Sequence, residues 1–176
     1  MRWKTSAGVS ASLIGVVLLL SGCGTNAASS ASSWMQVNTA TKTVKLTVDE
    51  GYNNTNGFLN FNGYAYGQMT VTVPLGYRVA VTVTNDGGMP AEFGIYNAND
   101  NLVFQGSGDS VTEILGNPGG GIFPGESETY RFVAAKPGTF MMANLIDRIP
   151  GKGQQDNGMW DTFRVVQGGA PGVSVS

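Results

Sequence analysis

Three methionines, Met89, Met142 and Met159, are the side chains of this sequence best suited to grip a metal ion. Thioether sulfur is a soft ligand and prefers Cu(I) to harder cations. On a strand, Met142 and Asn144 share a face and Met141 points to the other. A thioether site for Cu(I) with the Asn144 oxygen nearby is therefore one available chemistry. The packing role is the expected one, because methionine adapts to irregular volumes, and no metal is expected. Other chemistries lack their groups. The chain has no histidine and a single cysteine, Cys23. Imidazole base catalysis, a zinc site of nitrogen and sulfur ligands and an internal disulfide are all without their atoms. Asp147, Asp156 and Asp161 could converge with Arg148 and Lys152 around the 146–161 loop, but they read as a mixed-charge surface loop. Asp49 and Glu50 near Asn53 and Asn54, in "VDEGYNNTNG" (48–57), match no calcium-loop spacing and read as a solvated turn. "NPGGG" (117–121) lacks the Lys and Ser/Thr of a phosphate loop. No catalytic residue is expected, and the chain is read as a non-enzyme.

The cysteine belongs to a different part of the chain. Arg2 and Lys4 precede the apolar run "SLIGVVLLL" (12–20), which is followed by "LSGC" (20–23). The run is too short for a transmembrane helix and has the layout of a secretory signal. "LSGC" resembles the bacterial lipobox, which implies that residues 1–22 are a leader and that Cys23 becomes a lipid-modified first residue. Residues 23–33, including "GTNAASSASS" (24–33), then form a flexible tether, residues 34–167 a single domain, and 168–176 a disordered tail. The resemblance implies an extracytoplasmic protein, lipid-anchored to a cell-envelope membrane. Without Arg2 and Lys4, the 10 basic side chains fall to 8 against 12 acidic ones, a formal net charge of −4. No basic run is present. That argues against nucleic acid and against electrostatic docking on anionic lipid, and leaves attachment to acyl chains as the expectation.

The elements that would position any site are strands. Val44, Leu46 and Val48 alternate with polar residues, as do Met69, Val71 and Val73, then Val79, Val81 and Val83. Tyr130 and Phe132 flank Arg131, and Phe163 and Val165 flank Arg164. Period two with β-branched and aromatic residues means strands buried on one face. "PLG" (74–76), "NDGG" (85–88), "FPGE" (123–126) and "KPG" (136–138) supply turns between them. The expected fold is all-β, a Greek-key β-sandwich. About half of the aromatics Phe58, Phe61, Tyr64 and Tyr66 should face the core, and the others could line a ligand surface.

From about residue 57 to 167 the order of elements resembles a cupredoxin, the fold of small blue copper proteins. "GFLNFNGYAYGQMTVTVPLGYRVAVTVTN" (57–85) is most similar to the start of the sulfocyanin branch. "PGESETYRFVAAKPGTF" (124–140) is similar to the stretch leading into the cysteine-bearing strand, and "GMWDTFRVVQ" (158–167) to the final strand, which begins at the axial methionine. The resemblance implies a site of two imidazoles, a thiolate and a weak methionine. Carried over, it places the first histidine at Ala91, the cysteine at Asn144, the second histidine at Lys152 and the methionine at Met159. Only Met159 keeps its ligand type. A chain with no histidine cannot supply two imidazoles, so the copper site is read as lost. Two functions follow. One is a copper-free cupredoxin-like binding or interaction module whose contact surface is the loops 85–93, 116–125 and 146–159. The alternative is a Met-based Cu(I) carrier or sensor, or an electron-transfer accessory related to sulfocyanin. The partner would be another envelope protein, such as one of a respiratory or copper-handling system. Sulfocyanins are associated with acid-loving microbes, and a chain without histidine changes its charge little between about pH 5 and 8.

Overall fold

The structure is a computed structural model and describes residues 32–109, 121–146 and 153–176. The leader, Cys23, Lys152 and Asp147 lie outside the described residues. A short 3-10 turn, Ser32–Trp34, leads into β1 (Met35–Asn38) and β2 (Thr43–Glu50). There follow β3 (Met69–Pro74), β4 (Arg78–Asn85), β5 (Gly94–Tyr96), β6 (Ser127–Val133), β7 (Gly138–Ala143), β8 (Trp160–Val166) and β9 (Gly172–Val175). One sheet runs β1-β2-β4-β6 and the other β5-β7-β8-β3-β9. Two neighbouring pairs are parallel, β2 with β4 and β3 with β8. Parallel neighbours need a crossover connection. For β2 and β4 it is β3, which lies in the opposite sheet, so the chain passes from one layer to the other and back. The all-β sandwich read from the alternation is the observed architecture.

The strands form where the pattern places them, and their alternate residues fill the space between the sheets. Val44, Leu46 and Val48 of β2, Met69, Val71 and Val73 of β3, and Val79, Val81 and Val83 of β4 are all buried. A row of rings completes the interior. Phe104 stacks on Phe132 with centroids 5.2 Å apart, and Phe163 meets Phe132 edge-on at 5.7 Å. Ring pairs of this kind add to the burial term, which is about 1.5–3 kcal/mol for each large apolar side chain.

The C-terminal tail corrects its expectation. Residues 168–176, read as disordered, contribute β9, which pairs antiparallel with β3 from Met69↔Val175 to Thr72↔Gly172. The alternation Val173, Val175 is too short to stand out in the sequence, but the open edge of β3 gives it a hydrogen-bonding partner.

The segment between β2 and β3 also departs from expectation. Residues 51–67 are not simply a solvated turn. Asn60 and Asn62 are buried and use their side chains as extra backbone groups. Asn60 Nδ2 donates to the carbonyls of Asn53 (2.9 Å) and Thr55 (2.8 Å). Asn62 Oδ1 accepts the Asp49 N–H at 2.7 Å while its Nδ2 donates to the Thr47 carbonyl at 3.1 Å. The segment is then stitched onto the start of β8. Tyr66 N–H donates to Gly158 O at 2.9 Å, and Asn56 Nδ2 to Asn157 O at 2.7 Å. Gly158 has φ +96° and lies under the Tyr66 ring, so a Cβ there would collide with it.

Candidate functional site at the loop end of the sandwich

Three of the four positions assigned from the family resemblance can be placed, and they meet at one end of the sandwich. β7 ends at Ala143, which carries Asn144 into the interior beside the start of β8. Asn144 N–H donates to Met159 O at 3.3 Å, which fixes the two segments in register. The Asn144 side chain is fully buried, and each of its polar atoms is engaged. Nδ2 donates to Gln154 Oε1 at 3.0 Å and to Met159 Sδ at 3.4 Å, and Oδ1 accepts the Ile146 N–H at 3.0 Å. Gln154 continues the chain of bonds, its Nε2 donating to Pro90 O at 3.0 Å. Pro90 precedes Ala91, which is buried and pairs with Ile122 through two backbone hydrogen bonds. Met159 N–H donates to Gln154 O at 3.0 Å. The loop carrying Gln154 is thus tied to all three neighbouring segments. Sequence reasoning missed Gln154 because its placement depends on the fold of the 153–159 loop. Lys152, the position assigned to the second imidazole, lies outside the described residues.

These residues do not fit a type 1 copper ion. Ala91 carries no donor atom. Asn144 turns an N–H toward Met159 sulfur, the direction from which a thiolate would have to share an ion with it, and Gln154 presents its amide to Asn144 and to Pro90.

The methionines do not act as a group of three. Met159 and Met89 line a shallow depression of about 30 Å3 together with Glu50, Phe58, Leu59, Asn85 and Gln154. Met142 does not line it. It is fully buried in the core, across from Ile95 on β5 and Asp161 on β8. Met89 stands 56% exposed at the rim.

Two buried carboxyl groups were misread as surface. Glu50 continues the inward row Val44, Leu46, Val48 by one more step, and is 1% exposed. Neither of its carboxyl oxygens has a hydrogen-bond partner among the described residues. Burial first, and then the nearby Glu92 carboxylate, push it well above the usual range. Glu92 is itself buried, accepting the Leu145 N–H at 2.8 Å on Oε2 and the Tyr96 hydroxyl on Oε1. Asp161, expected in a surface loop with Asp156, instead opens the inward row Asp161, Phe163, Val165 of β8. Its Oδ1 accepts the Met69 N–H at 2.8 Å and its Oδ2 has no partner among the described residues. Burial pushes its carboxyl up to about 7, against the Met69 N–H, which favours the charged form. Asp156 remains exposed, as expected.

The aromatics divide as the alternation implied. Phe61 is buried and Tyr64 packs edge-on against Trp34 at 5.8 Å. Phe58 and Tyr66 project into solvent, 52% and 59% exposed. Both have left-handed backbones, with φ +69° and +55°. Bulky residues rarely hold that conformation, which costs about 1 kcal/mol or more each.

Residues 30–171 match the sulfocyanin (SoxE) domain family. The chain belongs to the sulfocyanin family. No curated protein sequence matches it. Solved structures with a similar fold include the multicopper oxidase from Campylobacter jejuni, a metallo-oxidase. It is 16% identical with a TM-score of 0.51, over 73% of this chain and 27% of that one. The multi-copper oxidase from Pseudomonas thermotolerans is 13% identical with a TM-score of 0.50, over 73% and 31%. The blue copper oxidase from Nitrosomonas europaea is 24% identical with a TM-score of 0.45, over 60% and 31%. The sulfocyanin-family chain spans about a third of the length of these oxidases, and its likeness to the Campylobacter and Pseudomonas enzymes is one of fold.

Proposed function

We propose that this sulfocyanin-family domain has no type 1 copper centre and no catalytic role of its own, and works as an extracytoplasmic recognition module tethered by lipid at Cys23. The observation that carries the reading is the Asn144 side chain. It joins Met159 to Gln154 by hydrogen bonds at the position where the family resemblance places a thiolate. The loops 85–93 and 153–159 and the segment 51–67 surround that end, and they present Phe58, Tyr66 and Met89 to solvent. Exposed aromatics held in a costly backbone conformation on a rigid sandwich support a contact surface there. The partner is an envelope protein that meets this end. Residues 24–176 are expected to fold without any metal and to stay colourless when Cu(II) is added, as read by circular dichroism and visible absorption. An intense blue band would overturn the reading.

One observation favours a second reading, a thioether Cu(I) carrier. Met89 and Met159 line the same depression as the Glu50 carboxyl, which has no hydrogen-bond partner among the described residues. In that case competition with a Cu(I) chelator should show one bound ion, and Met159→Leu should abolish it. Equal binding by the variant removes this reading and leaves the first intact.

A further inference from the structure

The basic side chains are scattered along the sequence, but the fold gathers several of them on one surface. On β2, β4 and β6 the residues that alternate with the core point outward from the four-stranded sheet. Lys45, Ala80 and Arg131 are lateral neighbours in register across these strands, and so are Thr43, Arg78 and Val133. Lys45, Arg78 and Arg131 are exposed and line one open hollow of about 470 Å3 with Thr43, Ala80 and Val133. Lys42 lies at its edge, where its carbonyl accepts the Arg78 N–H at 2.9 Å. Beyond the cations the outward rows of β4 and β6 are short and neutral. Thr82 bonds to Thr129 at 3.1 Å and Thr84 to Ser127 at 2.9 Å. Asp49 is the acid on the outward row of β2. It sits four residues from Lys45, about 13 Å along the strand, which is beyond one Debye length at physiological salt. A chain that is acidic overall therefore carries a cationic face, and among the described residues no acid shares the rows Lys45–Ala80–Arg131 and Thr43–Arg78–Val133.

We propose that this face of the β2–β4–β6 sheet docks on the anionic headgroups of the membrane to which the chain is tethered. The inference rests on the tethering proposed above, and it adds the orientation of the domain. Charge complementarity supplies the attraction, since each Lys or Arg near an anionic leaflet adds to binding. The covalent chain supplies proximity. Eight residues separate Cys23 from Ser32, where the described structure begins, so a lipid on Cys23 would hold the domain within about 30 Å of the bilayer surface. The described chain then enters this same sheet through β1, its edge strand. The cations occupy the half of the sheet at Thr43 and Arg78. Glu50 and Asn85, which border the depression beside Met159, lie at the other end of the same strands. A domain seated on its cationic half points the Phe58, Tyr66 and Met89 surface away from the lipid, where a partner can reach it.

The test uses residues 24–176, which hold every described element, without the acyl chain. Their co-sedimentation is measured with phosphatidylglycerol vesicles and with phosphatidylcholine vesicles. Binding is expected to the first and not the second, and to weaken with added salt. Lys45→Gln and Arg131→Gln should each reduce it about fivefold, and the double variant about 25-fold. Both side chains are exposed, so circular dichroism should be unchanged. Equal binding to the neutral vesicles, no binding to the anionic ones, or full binding by the double variant would each overturn the proposal. Binding to soluble polyglutamate but not to the vesicles would overturn it in favour of an acidic protein partner. Mass spectrometry of Cys23 tests the anchor separately. Loss of the anchor with vesicle binding retained would remove the tethering reading but not the anionic preference of this face.

Discussion

Acidification from about pH 8 to about pH 4 is expected to stabilise this protein by roughly 4 kcal/mol through Asp161 alone. The direction follows from where the proton is held. In the unfolded chain Asp161 titrates near 3.8, and in the fold near 7. Below 3.8 both states are protonated and the group's stabilising contribution is fully present. As the pH rises toward 7, the unfolded chain releases a proton that the native state keeps, and unfolding becomes progressively easier. Above 7 the native state must carry a buried carboxylate with one oxygen that has no partner among the described residues. Glu50 acts in the same sense, since burial and Glu92 raise it too. Carboxylates in many proteins behave oppositely, being held ionised by partners and lost in acid. Asp161→Asn isolates the effect. The amide oxygen can still accept the Met69 N–H, but the side chain no longer ionises. The variant should exceed the parent in stability at pH 8 and match it near pH 4, as read from denaturant midpoints across the range. A variant with the parent's full pH slope would show that Asp161 is not the source.

The same residues show how far the sequence can be read. Period two placed the valines of β2, β3 and β4 on one face, and the fold followed. The rule that located Val48 and Val83 also puts Glu50 and Asn85 on the core face, one step further along the same strands. They were legible, but charge and polarity suggested a solvated turn. Asp161 is the same case at the head of the row that continues through Phe163 and Val165. Ala91, Asn144 and Met159 converge because the strand order that brings them together is a property of the family, which a resemblance can carry. Gln154 depends on the path of one short loop, which no local pattern specifies. The cationic face could not be read as a run, because Lys45, Arg78 and Arg131 belong to three strands. Only the pairing of those strands makes them neighbours.

Asn144→Ala is expected to lower stability by about 3–5 kcal/mol, more than its small size suggests. Removing the side chain leaves the Ile146 N–H and Gln154 Oε1 without the partners they have in the fold, each at about 1–3 kcal/mol in a buried setting. It also opens a void between β7 and the start of β8. The Gln154 N–H and Met159 N–H should then exchange faster with solvent, because the loop that carries them loses its inner attachment. Asn144→Asp separates hydrogen bonding from volume. It keeps the shape and an oxygen for Ile146, but at neutral pH it presents acceptors to Gln154 Oε1 and Met159 Sδ. This variant should be at least as unstable as the alanine variant near neutrality. In acid it should recover, when the protonated carboxyl can donate again, whereas the alanine variant should not. If Asn144→Ala stays within about 0.5 kcal/mol of the parent, the bonds to Gln154 and Met159 do not hold this end together. If the loss and the acid recovery both appear, donation from residue 144 is what closes the end of the sandwich. A group that must give hydrogen bonds to Met159 and Gln154 cannot at the same time turn a lone pair toward an ion between them.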